Sequence, residues 1–230
     1  MTGADHIVEA FSSPEAVANY AHHPRLFLPG LEAVHRMTGA LIAERAPENA
    51  RILVLGAGGG LELKALADAY PGWTFVGVDP SAPMLALAES TLGLAMDRVE
   101  LVTGYIDDAP AGPFDAATCL LTLHFLDAAE RRRTNAEVHR RLRPGAPYVT
   151  VHCSFDQSPV GRALWLDRFA AQAVAAGADP DLAAYAREAV AQNSNLFDPE
   201  TDERLLGEAG FADTSLFFTA LTWRGWVSHA

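Results

Sequence analysis

Short apolar runs alternate with amphipathic segments along the first two thirds of the chain. Each run is rich in branched side chains and is bounded by turn-forming or charged residues, which is typical of a buried strand. The runs are residues 51–55, 74–78, 99–102, 114–121 and 148–153. Because strands that alternate with helices pair in parallel through right-handed crossovers, this pattern predicts an α/β fold with an open, doubly wound sheet.

The two segments that flank this alternation are helical. Near the start, Pro24 and Pro29 interrupt the helical periodicity, so we expect a group of N-terminal helices within residues 1–48. The Ala-rich stretch after the fifth strand predicts a helical insertion at residues 158–198. This insertion would lie above the carboxyl edge of the sheet, where ligands bind in such folds. It would serve as a lid, as the face of a homodimer or simply as part of the packed core.

The chain ends in two strand-like runs, residues 214–220 and 221–228, with almost no connection between them. They predict an antiparallel hairpin at the end of the sheet. We therefore expect residues 1–230 to form a single domain.

Charge and composition exclude several classes of partner. The net charge of −12 disfavours nucleic acid, although arginines cluster between positions 131 and 143, where we interpret them as a solvated helix face. The sequence has no apolar run long enough to cross a membrane, no basic secretory start and no metal-ligand spacing. Cys119 and Cys153 are interpreted as reduced core thiols, so we expect a cytoplasmic protein without a metal.

The first buried strand runs directly into Gly56-Ala57-Gly58-Gly59-Gly60, and a helix follows. Glycine permits positive φ and allows a ligand to approach the backbone closely. A dinucleotide-binding loop has the pattern G-x-G-x-x-G, whose third glycine would fall at Leu61. The observed G-x-G-x-G spacing suits S-adenosylmethionine, which has no pyrophosphate.

Asp79 ends the second strand, where an acid accepts hydrogen bonds from ribose hydroxyls. Proteins that bind dinucleotides and proteins that bind S-adenosylmethionine both use such an acid. A nicotinamide-dependent oxidoreductase therefore stays an alternative at this point.

Four segments in order resemble the class I S-adenosylmethionine-dependent methyltransferases, and the resemblance extends over residues 30–230. The segments are residues 52–60, 76–81, 114–127 and 143–145. The resemblance implies a Rossmann-like, seven-stranded sheet with the order 3-2-1-4-5-7-6. It also implies that S-adenosylmethionine is the cofactor and that the reaction is methyl transfer. We expect the methyl acceptor to be a small molecule.

The resemblance further implies which residues surround the donor. The glycines line its methionine end, the acid after the second strand holds its ribose, and residues after the third and fourth strands contact the adenine and the methionine backbone. The implied set is Gly56, Ala57, Gly58, Gly60, Asp79, Pro80, Met84, Tyr105, Ile106, Asp107, Leu120 and Leu121.

The chain departs from the family pattern at two positions. Members often carry an acid two positions before the first glycine, where this chain has Val54. Many have Gly-Asp after the third strand, where it has Gly104-Tyr105. The two amino groups of the donor would then be held by backbone carbonyls, by water or by Asp107.

Residues 121–127 and 209–211 also resemble the carboxy-S-adenosylmethionine synthases, which modify the donor itself. In that family an arginine near the last helix holds the added carboxylate. The equivalent position here is Leu205, with Arg204 beside it. This activity is a second alternative to methyl transfer.

Methyl transfer requires little side-chain chemistry, because the sulfonium of the donor is already an activated leaving group. A general base is needed only when the acceptor carries a proton. His124 and His152 follow or end the fourth and fifth strands and are the candidate catalytic residues.

Overall fold

The computed structural model of the chain describes Glu9 and residues 12–230. Within this part of the chain, seven strands form one sheet in the order β3-β2-β1-β4-β5-β7-β6. The strands are β1 (Arg51–Leu55), β2 (Thr74–Asp79), β3 (Val99–Thr103), β4 (Ala116–Leu120), β5 (Pro147–Cys153), β6 (Ala212–Ala220) and β7 (Trp223–His229). Neighbouring strands pair in parallel, except that β7 is antiparallel to both β5 and β6. The predicted α/β fold and strand order are confirmed.

Helices precede the sheet, connect its strands and follow β5. They are α1 (Pro14–Asn19), α2 (His23–Phe27), α3 (Leu31–Ala43), α4 (Leu61–Ala69), α5 (Ala82–Leu92), α6 (Ala128–Arg141), α7 (Pro159–Ala175), α8 (Pro180–Asn193) and α9 (Pro199–Glu208). The prolines divide the N-terminal region as predicted, since Pro24 lies in the first turn of α2 and Pro29 precedes α3. The residues of the predicted insertion form α7 and α8.

Alternate residues of the central strands face opposite sides of the sheet. On one side Ile52 and Val54 of β1 belong to a core with α3, α4 and α5. On the other side Leu53 and Leu55 belong to a second core that includes residues of α6 and α9. Both faces of β1 are therefore covered, and ligands reach the sheet at its carboxyl edge.

Side-chain caps determine where two helices begin at that edge. The Ser81 hydroxyl accepts a hydrogen bond of 3.3 Å from the backbone N–H of Met84, so Ser81 caps the N-terminus of α5. The Asp127 carboxylate accepts one of 2.9 Å from the N–H of Glu130 and begins α6. These caps place the first turns of α5 and α6 beside the ends of β2 and β4.

The charge pattern predicted that the arginine cluster forms a solvated helix face. The structure shows that this prediction is only partly right. Arg131 and Arg141 are buried. The Arg131 guanidinium pairs with the buried Asp202 of α9, and the Arg141 guanidinium pairs with Glu137. The spacing of charges along α6 could not reveal that α9 supplies an acid opposite Arg131.

Cys119 and Cys153 are buried and free, in agreement with the sequence. In the described part of the chain, no helix has the length and apolar character that a membrane span requires.

Candidate active site

The glycine loop joins β1 to α4 and is held against the end of β2. The backbone N–H groups of Gly56 and Ala57 donate to the Val78 carbonyl over 2.8 and 3.0 Å. Gly56 and Gly58 have φ of 78° and 49°. A Cβ at Gly56 would lie 2.1 Å from the Thr122 hydroxyl oxygen, so this loop follows its path only with glycine at that position.

Asp79 links β2 to the same loop. Its carboxylate accepts hydrogen bonds of 2.8 Å from the N–H of Gly58 and 2.9 Å from the N–H of Ser81. Burial raises the pKa of this carboxyl, and the two backbone donors act in the opposite direction. Each oxygen accepts one backbone hydrogen bond and keeps a free lone pair, so Asp79 can still accept a ribose hydroxyl.

A cavity of about 620 Å³ opens at this edge of the sheet. Most of the residues expected to bind the donor line it. They are Gly56, Ala57, Gly58, Asp79, Pro80, Met84, Tyr105, Ile106, Leu120 and Leu121. The structure thus brings together segments that follow β1, β2, β3 and β4, as the parallel sheet predicts.

Two expected donor residues lie elsewhere. Gly60 is the N-cap of α4, and a Cβ there would lie 3.0 Å from Ala88 rather than in the cavity. Asp107 is exposed and does not line the cavity, and its carboxylate pairs at 2.8 Å with Arg133, which does line it. The structure therefore does not bring Asp107 to the place that the resemblance implied for the adenine amino group.

The cavity continues past the glycine loop into an apolar half, which is built by the N-terminal helices, α7, α8 and β7. Its aromatic walls include Phe27, Phe125, Phe169 and Trp223. The rings of Phe27 and Phe169 stack with centroids 5.1 Å apart, and the Trp223 indole N–H donates to the Phe27 carbonyl over 2.9 Å. These contacts hold α2 and α7 against the sheet hairpin, so the apolar half has walls from distant parts of the chain.

Tyr20 and Glu62 line the cavity, although the sequence did not identify them as donor-site residues. A Cβ at Gly58 would lie 2.4 Å from the Tyr20 hydroxyl oxygen, so this side chain covers the glycine loop. Burial raises the pKa of Tyr20. The tyrosine follows a short helix whose packing depends on tertiary structure, so no local sequence pattern could identify it. Glu62 could have been identified from the sequence as an acid directly after Leu61, the position of the third glycine in a dinucleotide-binding loop.

His124 lies in the 3₁₀ turn after β4 and lines the cavity. Its side chain is buried against Phe125 and edge-on to Trp223, with ring centroids 4.3 and 5.7 Å away. Burial lowers the pKa of His124 well below its ordinary value, and the neighbouring His152 and Arg131 act in the same direction. The imidazole is therefore neutral near pH 7.

The second candidate base, His152, does not line the cavity. It is buried in β5, where its ring packs on Trp226 and its Nε2 lies 3.3 Å from a carboxylate oxygen of Asp202. Burial alone would raise the pKa of Asp202, yet His152 and Arg131 hold it below its ordinary value. His152 therefore belongs to a buried charged cluster behind His124.

That cluster is connected to the backbone that carries His124. Arg131 donates to the Asn195 carbonyl over 2.6 Å, and the Asn195 N–H donates to the His124 carbonyl over 2.7 Å. The Asn195 side chain also donates to the Phe125 carbonyl over 3.0 Å. The segment after α8 thus fixes the turn in which His124 lies.

The position expected for a carboxylate clamp does not face the cavity. Leu205 is buried in the core, and the neighbouring Arg204 is paired with Glu208 on the exposed side of α9. Neither residue lines the cavity. The arrangement lacks the arginine that the carboxy-S-adenosylmethionine synthases use at this position.

Residues 52–145 match the family described as methyltransferase domain. No curated protein matches the chain. The matched residues run from β1 to the turn before β5 and include the glycine loop, Asp79 and His124.

Solved structures share the fold. A putative O-methyltransferase from Nostoc punctiforme is 19% identical with a TM-score of 0.66, and the alignment covers 91% of this chain and 61% of that one. An O-methyltransferase family 2 protein from Planctomyces limnophilus, solved with apigenin, is 16% identical with a TM-score of 0.59, covering 87% and 62%. Human N-acetylserotonin methyltransferase, solved with S-adenosylmethionine, is 17% identical with a TM-score of 0.58, covering 96% and 61%. The chain therefore spans about three fifths of the length of these proteins.

Proposed function

We propose that this protein transfers a methyl group from S-adenosylmethionine to the hydroxyl of a small aromatic acceptor, in keeping with the match of residues 52–145 to the family described as methyltransferase domain. The observation that carries the proposal is a single cavity with two different halves. One half has the glycine loop and Asp79, and the other is apolar and aromatic, with His124 between its walls.

The donor half fits an adenosyl ligand. A Cβ at Gly56 or Gly58 would meet Thr122 or Tyr20, so the loop presents bare backbone to the cavity. Asp79 is fixed by two backbone N–H groups and accepts ribose hydroxyls with its remaining lone pairs. When bound, the donor supplies an activated methyl group on its sulfonium.

The apolar half suits a planar, uncharged acceptor. Phe27, Phe125, Phe169 and Trp223 offer ring faces and edges on which an aromatic molecule stacks. Helices α7 and α8 would cover this half as a lid and exclude water from the reaction. The Planctomyces limnophilus protein, which shares the fold, was solved with apigenin, a hydroxylated aromatic compound.

His124 would act as the general base. An acceptor hydroxyl is a weak nucleophile, and removal of its proton by a neutral imidazole during attack increases its reactivity. His124 lines the cavity, and its Nδ1 is buried without a hydrogen-bond partner among the described residues. The proton would pass from the acceptor oxygen to this ring as the oxygen–methyl bond forms.

The two alternative functions receive less support. Leu61 replaces the third glycine of a dinucleotide loop. Arg204, which a carboxylated donor would require nearby, is paired with Glu208 on the exposed side of α9. Methyl transfer from the ordinary donor therefore accounts for more of the site.

Calorimetry and a transfer assay test the proposal together. We expect the protein to bind S-adenosylhomocysteine and to show no binding of NADH. With S-adenosylmethionine and a panel of phenols, mass spectrometry should detect a product heavier by one methyl substitution. The same aromatic compounds without the hydroxyl are the control and should not react. Failure to bind S-adenosylhomocysteine would contradict the proposed function itself.

A further inference from the structure

Glu62 is a buried carboxyl group with no cationic partner among the residues that the structure describes. It lies in the first turn of α4, directly after the glycine loop, and only 7% of the residue is exposed. Its Oε1 has no hydrogen-bond partner among the described residues. Burial raises the pKa of Glu62 to about 7, and the groups that influence this pKa include no arginine, lysine or histidine.

Burial of an unpartnered carboxyl group is costly, so such a group usually has a partner that the protein alone does not show. Glu62 also lines the cavity, and its partner can therefore be a ligand. The neighbouring Thr118 hydroxyl lowers the pKa of Glu62, yet Thr118 Oγ1 also has no hydrogen-bond partner in the described part of the chain. Glu62 lines the cavity and Thr118 does not, so Glu62 is the group of the two that a ligand in the cavity can reach.

This place lies at the methionine end of the proposed donor site. Val54, the second residue before Gly56, is in register with Thr118 of β4, so Thr118 lies close to the carboxyl end of β1. Tyr20, which covers the glycine loop, is influenced by the charges of both Asp79 and Glu62. Asp79 and Glu62 therefore both lie near the tyrosine that covers the glycine loop.

We propose that the Glu62 carboxylate binds the α-ammonium group of the donor's methionine portion. An ammonium group supplies the positive charge and the N–H donors that the buried oxygen lacks. The inference rests on the proposed function, because it requires an adenosyl amino acid in the cavity. It assigns Asp79 to the ribose and Glu62 to the opposite end of the same ligand.

A thermodynamic cycle tests this contact by binding alone. Calorimetry at pH 8 compares the unchanged protein and Glu62→Gln with two ligands, S-adenosylhomocysteine and its analogue without the amino group. In the unchanged protein we expect loss of the amino group to weaken binding about tenfold or more, as for a charge-assisted hydrogen bond. In Glu62→Gln the same loss should change affinity less than about threefold, because the carboxylate is gone.

Two controls separate this contact from a structural role of Glu62. Methylthioadenosine lacks the whole amino acid portion, so its affinity should be the same in the unchanged protein and in Glu62→Gln. Glu208→Gln removes the charge of an exposed acid that does not line the cavity, and it should leave S-adenosylhomocysteine binding unchanged.

The possible results decide between the claims. If the unchanged protein binds both ligands of the cycle equally well, the inference is overturned whether or not the variant folds. Equal weakening of S-adenosylhomocysteine and methylthioadenosine by Glu62→Gln would also overturn it. A protein that binds methylthioadenosine but does not distinguish amino groups keeps the proposed donor site and loses only the role of Glu62.

Discussion

The Asp79 carboxylate accepts a 2.8 Å hydrogen bond from the backbone N–H of Gly58, so the end of β2 is bound directly to the glycine loop. We predict that Asp79→Asn weakens S-adenosylhomocysteine binding about 10- to 100-fold, since charged hydrogen bonds contribute about 1.5–3 kcal/mol. The amide keeps the shape but removes the charge and one acceptor. Isothermal titration calorimetry measures the effect directly.

Asp107→Asn is the matched control for that prediction. Asp107 is also an acid after a strand of the sheet, but it is exposed, does not line the cavity and is paired with Arg133. We expect its amide variant to bind S-adenosylhomocysteine as the unchanged protein does. A loss as large as that of Asp79→Asn would contradict the assignment of the ribose to Asp79.

Replacement of Gly58 tests the shape of the loop. Gly58 has φ of 49°, and a Cβ there would lie 2.4 Å from the Tyr20 hydroxyl oxygen. We expect Gly58→Ala to displace Tyr20 and to reduce donor affinity by more than about tenfold, which corresponds to about 1.4 kcal/mol. In Gly207→Ala the new Cβ meets nothing within 4 Å, and this control should gain about 0.5–1 kcal/mol of stability from its position in α9. Affinity lowered equally by both would argue against a local effect.

A proton-transfer role for His124 predicts a specific kinetic change. We expect His124→Gln to lower kcat about 10²- to 10⁴-fold, the usual contribution of general acid–base catalysis, with donor affinity unchanged. The phenol that reacts fastest with the unchanged protein is the acceptor, and release of S-adenosylhomocysteine is measured. Unchanged kcat would remove His124 from the mechanism, whereas lost donor affinity would indicate a structural role.

The fold and the donor half were largely predictable from the sequence, because both follow from local patterns. Alternation of strands and helices determines a parallel sheet, and the loop after β1 and the acid after β2 meet at the same edge of such a sheet. Gly56 and Asp79 therefore lie together as expected. The boundaries of the closing hairpin differ from the prediction, since β6 extends from Ala212 to Ala220 and β7 begins only at Trp223.

The other half of the site depends on contacts between segments that are far apart in the chain. Tyr20 reaches Gly58 from a short helix, and Trp223 bonds to the Phe27 carbonyl across most of the sequence. The spacing of apolar and polar residues along the chain does not predict such long-range contacts. Likewise, Asp107 appeared close enough to the end of β3 to bind the donor, but the orientation of its turn directs it to Arg133.

The buried pair of Arg131 and Asp202 should matter more for stability than any exposed pair. We predict that Asp202→Asn lowers the free energy of unfolding by about 3–5 kcal/mol, because the buried Arg131 charge loses its partner. Asp107→Asn breaks an exposed pair and should cost no more than about 1 kcal/mol. Urea denaturation measures both, and similar small losses would show that Arg131 is satisfied by carbonyl groups alone.

Glu62 and His35 should give stability profiles of opposite sign. Burial raises the pKa of Glu62 from 4.5 to about 7, so the folded state binds a proton that the unfolded state has released between these values. Stability from this group is present below pH 4.5 and is lost as pH rises through 7. Burial lowers the pKa of His35 from 6.5 to about 4, so its contribution is present above pH 6.5 and is lost as pH falls through 4.

A change in pKa from 4.5 to about 7, or from 6.5 to about 4, corresponds to about 3 kcal/mol at most. The two contributions oppose each other over nearly the same range, and the unchanged protein should therefore show only part of either. Glu62→Gln should gain stability relative to the unchanged protein as pH rises from 5 to 8, whereas His35→Gln should gain relative stability as pH falls from 7 to 4. Urea denaturation across this range measures both differences. If the difference in unfolding free energy between Glu62→Gln and the unchanged protein did not vary with pH, Glu62 would ionise normally. A saturating adenosyl ligand with an ammonium group should reduce the pH dependence of that difference, because the ligand stabilises the ionised carboxylate.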